Sequence, residues 1–385
     1  MNSDSVILPG QTIGIFGGGQ LGRMLAMVAR RTGYRVHVYS SEVESPASHF
    51  ANQVTVGDYD DQNAFREFVA NIDVLTLEFE NVSSSALDQV PAHVPVRPGK
   101  NVLYITQNRS REKAFLREHS IPCPEFALIG SLDELKRSLS TFSLPAVLKT
   151  SDGGYDGKGQ FKIEDAGQAD EAWAAIDGQP ATLECFVDLL CEVSVIIGRD
   201  VMGNSALYGP IENRHANHIL DVSFVPSRVS EAVSKQAIEI AKQIADRLEL
   251  IGLICVEFFV TTNGDVLVNE IAPRPHNSGH LTIEAFATSQ FEQQLRCICG
   301  LPVGDANLIR PAAMTNLLGD CWGSGTPYWQ AIALQAETHL HLYDKQEPRI
   351  GRKMGHITST ARNAEEAVAR ATTAREQLCR SQESV

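Results

Sequence analysis

The stretch "TIGIFGGGQLGRMLAMVARRTGYRVHVYS", residues 12–40, leaves a chain few ways to fold. An apolar run meets three glycines, a segment of helical periodicity follows with Gly33 placed to close it, and a second apolar run begins at once. That is strand, turn, helix, strand. "NIDVLTLEFEN" supplies a further strand ending near Glu78 and Glu80. The alternation predicts an α/β unit over roughly the first 120 residues, an open parallel sheet whose ligands sit beyond the carboxyl ends of its strands.

The loop itself is ambiguous. Gly17-x-Gly19-x-x-Gly22 fits the dinucleotide fingerprint, but the second strand ends on Tyr39-Ser40-Ser41, with Glu42 slightly displaced from where a ribose-binding acid belongs. A phosphate on the helix N-terminus or a tight strand–helix turn explains the glycines as well.

At 385 residues the chain has room for two or three domains, and 43% hydrophobic residues provide ample core. A net charge of -14 argues against a general nucleic-acid or anionic-membrane binder, though not against a small anionic ligand met by a local cationic cluster. Eight cysteines are scattered, and Cys297-x-Cys299 lacks zinc-site spacing, so reduced thiols are expected. "MNSDSVILPGQ" has no signal-peptide pattern, and no apolar run approaches the ~20 residues that span a bilayer. A cytoplasmic location is expected.

Two prolines in "HSIPCPEF" mark a break. A compact unit follows: strand "PAVLKTS", loop "DGGYDGKGQ", strand "FKIED", a helix over 166–176 and strand "ATLECFV". A third starts near Cys191 with "CEVSVIIGRD", then helix "SEAVSKQAIEIAKQIADRLEL", strand "LICVEFFV", a hairpin signal at Asn263-Gly264, and strand "VLVNE". From Arg310 the tail holds short strands, the basic segment "DKQEPRIGRK" and a polar helix over 364–379.

The second glycine loop lies between two strands, so it is no Walker loop, and no kinase signature accompanies it. Glycines 153, 154, 157 and 159 make a flap able to wrap phosphates, with Lys158 in it and Lys149 beside it. A hairpin with incidental charge is the plainer alternative. Glu257 and Glu270 lie equally far from the midpoint of Asn263-Gly264, so pairing across that turn sets two carboxylates face to face in apolar strands. They repel unless a cation lies between them, and Mg²⁺, with its preference for hard oxygen ligands, meets that need.

Together, "GIFGGGQLGRM", "GGYDGKGQ", "NEIAPRPHNSGH" and "GRKMGH" give this chain a resemblance to the ATP-grasp enzymes, and among them to the N5-carboxyaminoimidazole ribonucleotide synthetase family. The resemblance covers nearly the whole chain. It implies an α/β ATP-grasp fold with a Rossmann-like N-terminal domain over 1–120, a small central lid over 121–189 and a C-terminal domain over 190–385. It implies ATP-dependent carboxylation of aminoimidazole ribonucleotide with bicarbonate, through carboxyphosphate, in a homodimer. ATP is expected on Arg109, Lys149 and the flap residues Gly154, Tyr155, Asp156, Gly157, Lys158, Gly159 and Gln160. The hinge Glu184, Cys185, Phe186 and Val187 holds adenine, with Glu192 on the ribose, His215 nearby, and Asn269 beside the metal ligands Glu257 and Glu270. The ribonucleotide is expected on Gln20, Leu21, Glu80, Tyr155, Asp156, Lys345, Arg352 and Lys353. Arg274, His276, Asn277 and Ser278 surround the bicarbonate, and Arg274, Lys158 and Asn269 carry catalysis. Formate-dependent glycinamide ribonucleotide transformylase, of the same fold, is the nearest alternative, and an NAD-dependent dehydrogenase the more distant one.

Overall fold

The computed structural model describes residues 6–82, 86–153, 159–323, 325–333 and 335–380. The flap residues Gly154, Tyr155, Asp156, Gly157 and Lys158 lie outside them.

Four parallel strands, β1 (Thr12–Phe16), β2 (Arg35–Ser40), β3 (Gln53–Val56) and β4 (Val74–Leu77), form the first sheet in the order β3-β2-β1-β4. Helix Gln20–Arg31 follows β1 directly, as its sequence periodicity requires, and buries Leu21, Met24, Leu25, Ala26 and Ala29. The core beneath it is shared: Ile13, Ile15, Leu25 and Val36 pack with Leu295, Ile298 and Cys299 from far along the chain. The Arg97 guanidinium donates to the Ile298 carbonyl at 2.7 Å across the same seam.

A second sheet, β5 (Phe126–Ile129), β6 (Ala146–Thr150), β7 (Gln160–Ile163) and β8 (Ala181–Cys185), is wholly antiparallel and ordered β5-β8-β6-β7. The helix expected over 166–176 is a short 3-10 turn followed by Ala169–Ala175. Its start is set by the capping box of Asp165 and Gln168.

The largest sheet has eight strands: β9 (Leu189–Arg199), β10 (Ser205–Ala216), β11 (Ile219–Val225), β12 (Gly252–Thr261), β13 (Val266–Ala272), β14 (Ala312–Leu318), β15 (Thr338–Leu342) and β16 (Lys353–Thr360). Their order is β13-β12-β9-β10-β11-β14-β16-β15. The sequence reading lacks β10 and β11. They are joined through Asn217 and His218, at φ 50° and 65°, the two positive values that a two-residue hairpin needs. Helix Ala364–Leu378 is polar only on its outer side, for Ala364, Ala367, Ala371 and Ala374 are buried against the sheet.

Reduced thiols were the wrong expectation at one pair. Cys321, in the turn after β14, is disulfide-bonded to Cys379 at the end of that last helix. The cluster of Leu317, Ile332, Ile357 and Leu378 brings the two segments together across 58 residues of sequence. The other six cysteines are free.

Candidate active site

A cleft of about 1120 Å³ runs between the three sheets. One end is built on the glycine loop of β1, but the phosphate expected on its helix N-terminus has a rival within the chain. The half-buried Glu78, just past β4, receives the backbone N–H of Gly19 and of Leu21, the latter at 3.2 Å. A Cβ on Gly19 would stand 2.3 Å from its Oε1, so a larger residue there would have to displace the carboxylate. Burial raises the Glu78 pKa, while Arg274, the two amides and Lys345 work against that rise. Glu78 therefore closes the anion site, while Gln20 and Leu21 still line the cleft beside it. The Glu80 carboxylate instead accepts from the Arg274 guanidinium, 2.7 Å from Nη2 to Oε1, tying the first domain to the loop after β13.

Lys345, Arg352 and Lys353 reach the same end of the cleft. Lys345 Nζ donates to the Lys353 carbonyl at 2.8 Å, and Arg352 Nη1 to that of Glu347 at 2.9 Å. Burial, and then the Arg352 charge, lower the Lys345 pKa to about 8 despite Glu78. Crowded cations held this way suit an anionic ligand.

At the opposite end a buried carboxylate gathers cations. Glu184, on β8, lies 3.0 Å from Lys149, 3.6 Å from Lys113 and 3.7 Å from Arg109. Burial pushes its carboxyl up, but the three cations outweigh that and hold it down at about 2. Arg109 also reaches Glu270 at 3.4 Å. Two of the hinge amides are engaged within the chain, Cys185 N–H with the Glu125 carbonyl at 2.9 Å and Phe186 N–H with that of Pro145 at 3.0 Å. Gly159 and Gln160, the described end of the flap, and Phe186 and Val187 line the cleft.

Lys113 and Glu112 escaped the sequence reading. They lie four and three residues after Arg109 in helix Arg109–Glu118, one helix face, and that periodicity is the signal that could have found them. Lys113 Nζ donates to the Asn269 carbonyl at 3.0 Å, and Glu112 accepts the Ile271 N–H at 2.8 Å.

These contacts grip a bulge that sets the register of the pair expected to hold a metal. Glu257 does face Glu270, but not through a two-residue Asn-Gly turn. Thr261 and Asp265 close the hairpin around three residues, with Gly264 at φ 87°. That register would set Glu257 opposite Asn269. The register shift after Phe258↔Val268 leaves Asn269 as an extra residue and restores Glu257↔Glu270.

The two carboxylates are engaged by different cations. Glu257 is 2.7 Å from His276 Nε2, and it groups with Glu192 and His215, whose ligand atoms all lie within 4.8 Å of one another. Burial works against charge in the Glu257–His276 pair, yet each holds the other's charged form: the Glu257 pKa is lowered, and that of His276, beside Cys255 as well, is raised. Glu192 and His215 are 3.1 Å apart. Asn277 lines the cleft, but Ser278 does not: it is fully buried and bonded to His276, which corrects its expected contact with substrate.

Comparison with known proteins agrees with this architecture. Residues 10–107 match the ribonucleotide synthetase preATP-grasp domain, 114–291 the ATP-grasp domain, and 312–370 the phosphoribosylaminoimidazole carboxylase C-terminal domain. The chain belongs to the ATP-grasp ligases. N5-carboxyaminoimidazole ribonucleotide synthase of Bacillus subtilis is 42% identical, covering 92% of this chain and 93% of the relative. That of Brucella melitensis is 43% identical, covering 91% and 96%. An ADP complex of such a synthetase superposes with a TM-score of 0.91 at 40% identity, covering 96% of this chain and 97% of that one. An Aspergillus clavatus synthase solved with ADP and aminoimidazole ribonucleotide is 28% identical, with a TM-score of 0.88 and coverage of 98% and 99%. Within the ATP-grasp class, this chain belongs to the N5-carboxyaminoimidazole ribonucleotide synthases.

Proposed function

We propose that the cleft is divided, with ATP at the Glu184 end and aminoimidazole ribonucleotide at the Lys345 end, so that the γ-phosphate and the exocyclic amine meet near Arg274 and His276. The enzyme is an ATP-dependent ligase that forms N5-carboxyaminoimidazole ribonucleotide from aminoimidazole ribonucleotide and bicarbonate in purine biosynthesis. One observation carries the division: two separate cationic groups, Arg109 with Lys149 and Lys345 with Arg352 and Lys353, line one continuous cleft, and Lys113 lies buried behind the first on the same carboxylate.

Arg109 and Lys149 neutralise the triphosphate, with Glu184 fixing where their charge sits. Residues 154–158 lie outside the described residues, and the proposed roles of Gly154, Tyr155, Asp156, Gly157 and Lys158 rest on the family resemblance. Val187 and the carbonyls of the hinge serve adenine, and Glu192 and His215 the ribose. Gln20, Leu21, Glu80 and the Lys345 cluster hold the ribonucleotide.

The donor set fits Mg²⁺. Glu257 and Glu270 offer hard carboxylate oxygens opposite one another, with Asn269 in the β13 bulge next to Glu270. When bound, the ion would offset phosphate charge. A bicarbonate oxygen attacks the γ-phosphorus, ADP leaves, and carboxyphosphate forms. The amine then attacks the carboxyl carbon and phosphate departs. Arg274 and His276 bind and orient the anion, Asn277 stands beside them, and exclusion of water protects the intermediate. A homodimer in the cytoplasm completes the proposal.

The test is ADP release with each substrate omitted in turn. ADP formation requiring both aminoimidazole ribonucleotide and bicarbonate supports this reading. Dependence on glycinamide ribonucleotide and formate instead would replace it with the transformylase.

A further inference from the structure

Behind His276, away from the cleft, a line of buried hydroxyls and an amide crosses three neighbouring strands. His276 Nδ1 is 2.8 Å from Ser278 Oγ, which is 2.8 Å from Ser194 Oγ on β9. Asn213 Nδ2, on β10, donates to Ser194 Oγ at 3.0 Å, and Ser223 Oγ, on β11, donates to Asn213 Oδ1 at 2.8 Å. All four side chains are buried, Ser194, Ser223 and Ser278 completely. Nothing in the proposed chemistry above uses Ser194, Asn213 or Ser223.

The bonds have a direction. Ser223 donates to Asn213, and Asn213 to Ser194. With His276 in its charged form, Nδ1–H donates to Ser278 Oγ, and a bond between the Ser278 and Ser194 hydroxyls completes the line. The far nitrogen, Nε2, faces Glu257 at 2.7 Å. The backbone of His276 is gripped as well: its N–H donates to Gln290 Oε1 at 3.0 Å, and its carbonyl accepts from Gln290 Nε2 at 2.8 Å. A ring fastened at Nδ1 and at both backbone groups has one orientation left.

We infer that Ser194 and Asn213, acting through Ser278, are positioning residues for the reaction, holding the His276 imidazole so that Nε2 points at Glu257 and the bicarbonate end of the cleft. Buried polar groups in the middle of a sheet are costly unless fully satisfied, and a satisfied line of them specifies a single arrangement. A ring free to turn about its χ2 bond would still fill its space, but it would present the wrong edge to the intermediate. This rests on the reading of His276 given above.

The experiment compares Ser194→Ala, Ser194→Thr and Asn213→Asp with the native enzyme. The measurements are kcat, KM for each substrate, the ratio of ADP to carboxylated product, and thermal melting. Ser194→Ala cuts the line; Asn213→Asp keeps its shape but removes the donor to Ser194; Ser194→Thr keeps the hydroxyl. Expected is a fall in kcat of about tenfold to a hundredfold for Ser194→Ala and Asn213→Asp, as for other misplaced catalytic groups. KM for ATP and for the ribonucleotide stay within about twofold, and the ADP-to-product ratio rises above one as intermediate is lost to water. Ser194→Thr recovers most of kcat. Should Ser194→Ala fail to fold, Asn213→Asp and the Thr variant carry the comparison.

Native kcat and ratio in Ser194→Ala, alongside lost turnover in His276→Ala, would overturn the positioning role alone. Native turnover in His276→Ala would overturn the reading of the ring on which it rests. Activity that falls only in step with melting temperature, without Thr rescue, would make the line structural and overturn the inference.

Discussion

Lys149→Met separates a phosphate-binding cation from a partner that merely keeps Glu184 soluble in the protein. Lys149 is 13% exposed and 3.0 Å from a carboxylate that is 2% exposed. Breaking a two-membered buried pair typically costs about 3–5 kcal/mol, because it strands a charge. Here Glu184 keeps Lys113 at 3.6 Å and Arg109 at 3.7 Å, so the loss should be smaller, about 1–2 kcal/mol. For a chain of 385 residues that corresponds to a drop in Tm of roughly 1–3 °C. The missing charged hydrogen bond to a phosphate is worth about 1.5–3 kcal/mol, roughly a 10- to 150-fold rise in KM for ATP. KM for aminoimidazole ribonucleotide should stay within about twofold, since its cations belong to another cluster. Steady-state kinetics in both substrates and a melting curve decide the matter. A large Tm loss with an unchanged KM for ATP would refute the division of the cleft, leaving Lys149 as a structural counter-ion.

Other consequences follow from the same geometry. Glu270→Gln should abolish ATP turnover while leaving circular dichroism and melting near native, and near-native turnover at ordinary Mg²⁺ would remove the metal assignment. The Lys345 pKa of about 8 sets a pH dependence. Raising pH through that value strips a cation from the free enzyme, so kcat/KM for the ribonucleotide should fall above about pH 8 while kcat at saturation stays flatter, because a bound phosphate restores the proton. Arg352→Ala should raise KM for the ribonucleotide strongly and leave KM for ATP alone; the reverse pattern would assign the cluster to the triphosphate. NADH should give no saturable fluorescence enhancement, since the Glu78 carboxylate already takes the amides of Gly19 and Leu21.

Short-range pattern carried much of this into the sequence, and long-range contact did not. The strand–glycine–helix order of the first domain and the helix at Glu231–Arg247 are legible because their periodicity is local. The facing of Glu257 and Glu270 is legible only because two departures from a simple hairpin cancel. A three-residue turn moves the register one way, and the bulge at Asn269 moves it back. Nothing in the sequence near Asn269 announces the bulge, because Lys113, which grips its carbonyl, lies 156 residues away. Ser278 reads as one more polar residue of an exposed loop, and only the strands carrying Ser194 and Asn213 reveal that it points inward. Glu78 and Glu80 alternate on one strand end, yet one seals the glycine loop and the other pairs with Arg274, a choice made by residues far from both. Cys321 and Cys379 meet for the same reason, through packing of the last helix.

The most direct test follows oxygen. With bicarbonate labelled throughout with ¹⁸O in ordinary water, attack of its oxygen on the γ-phosphorus makes that atom the bridge of carboxyphosphate. When the amine displaces phosphate, the bridging oxygen leaves with it. The account predicts one labelled oxygen per phosphate, read by mass spectrometry, in amounts matching the N5-carboxyaminoimidazole ribonucleotide formed. Unlabelled phosphate at full product yield would contradict it.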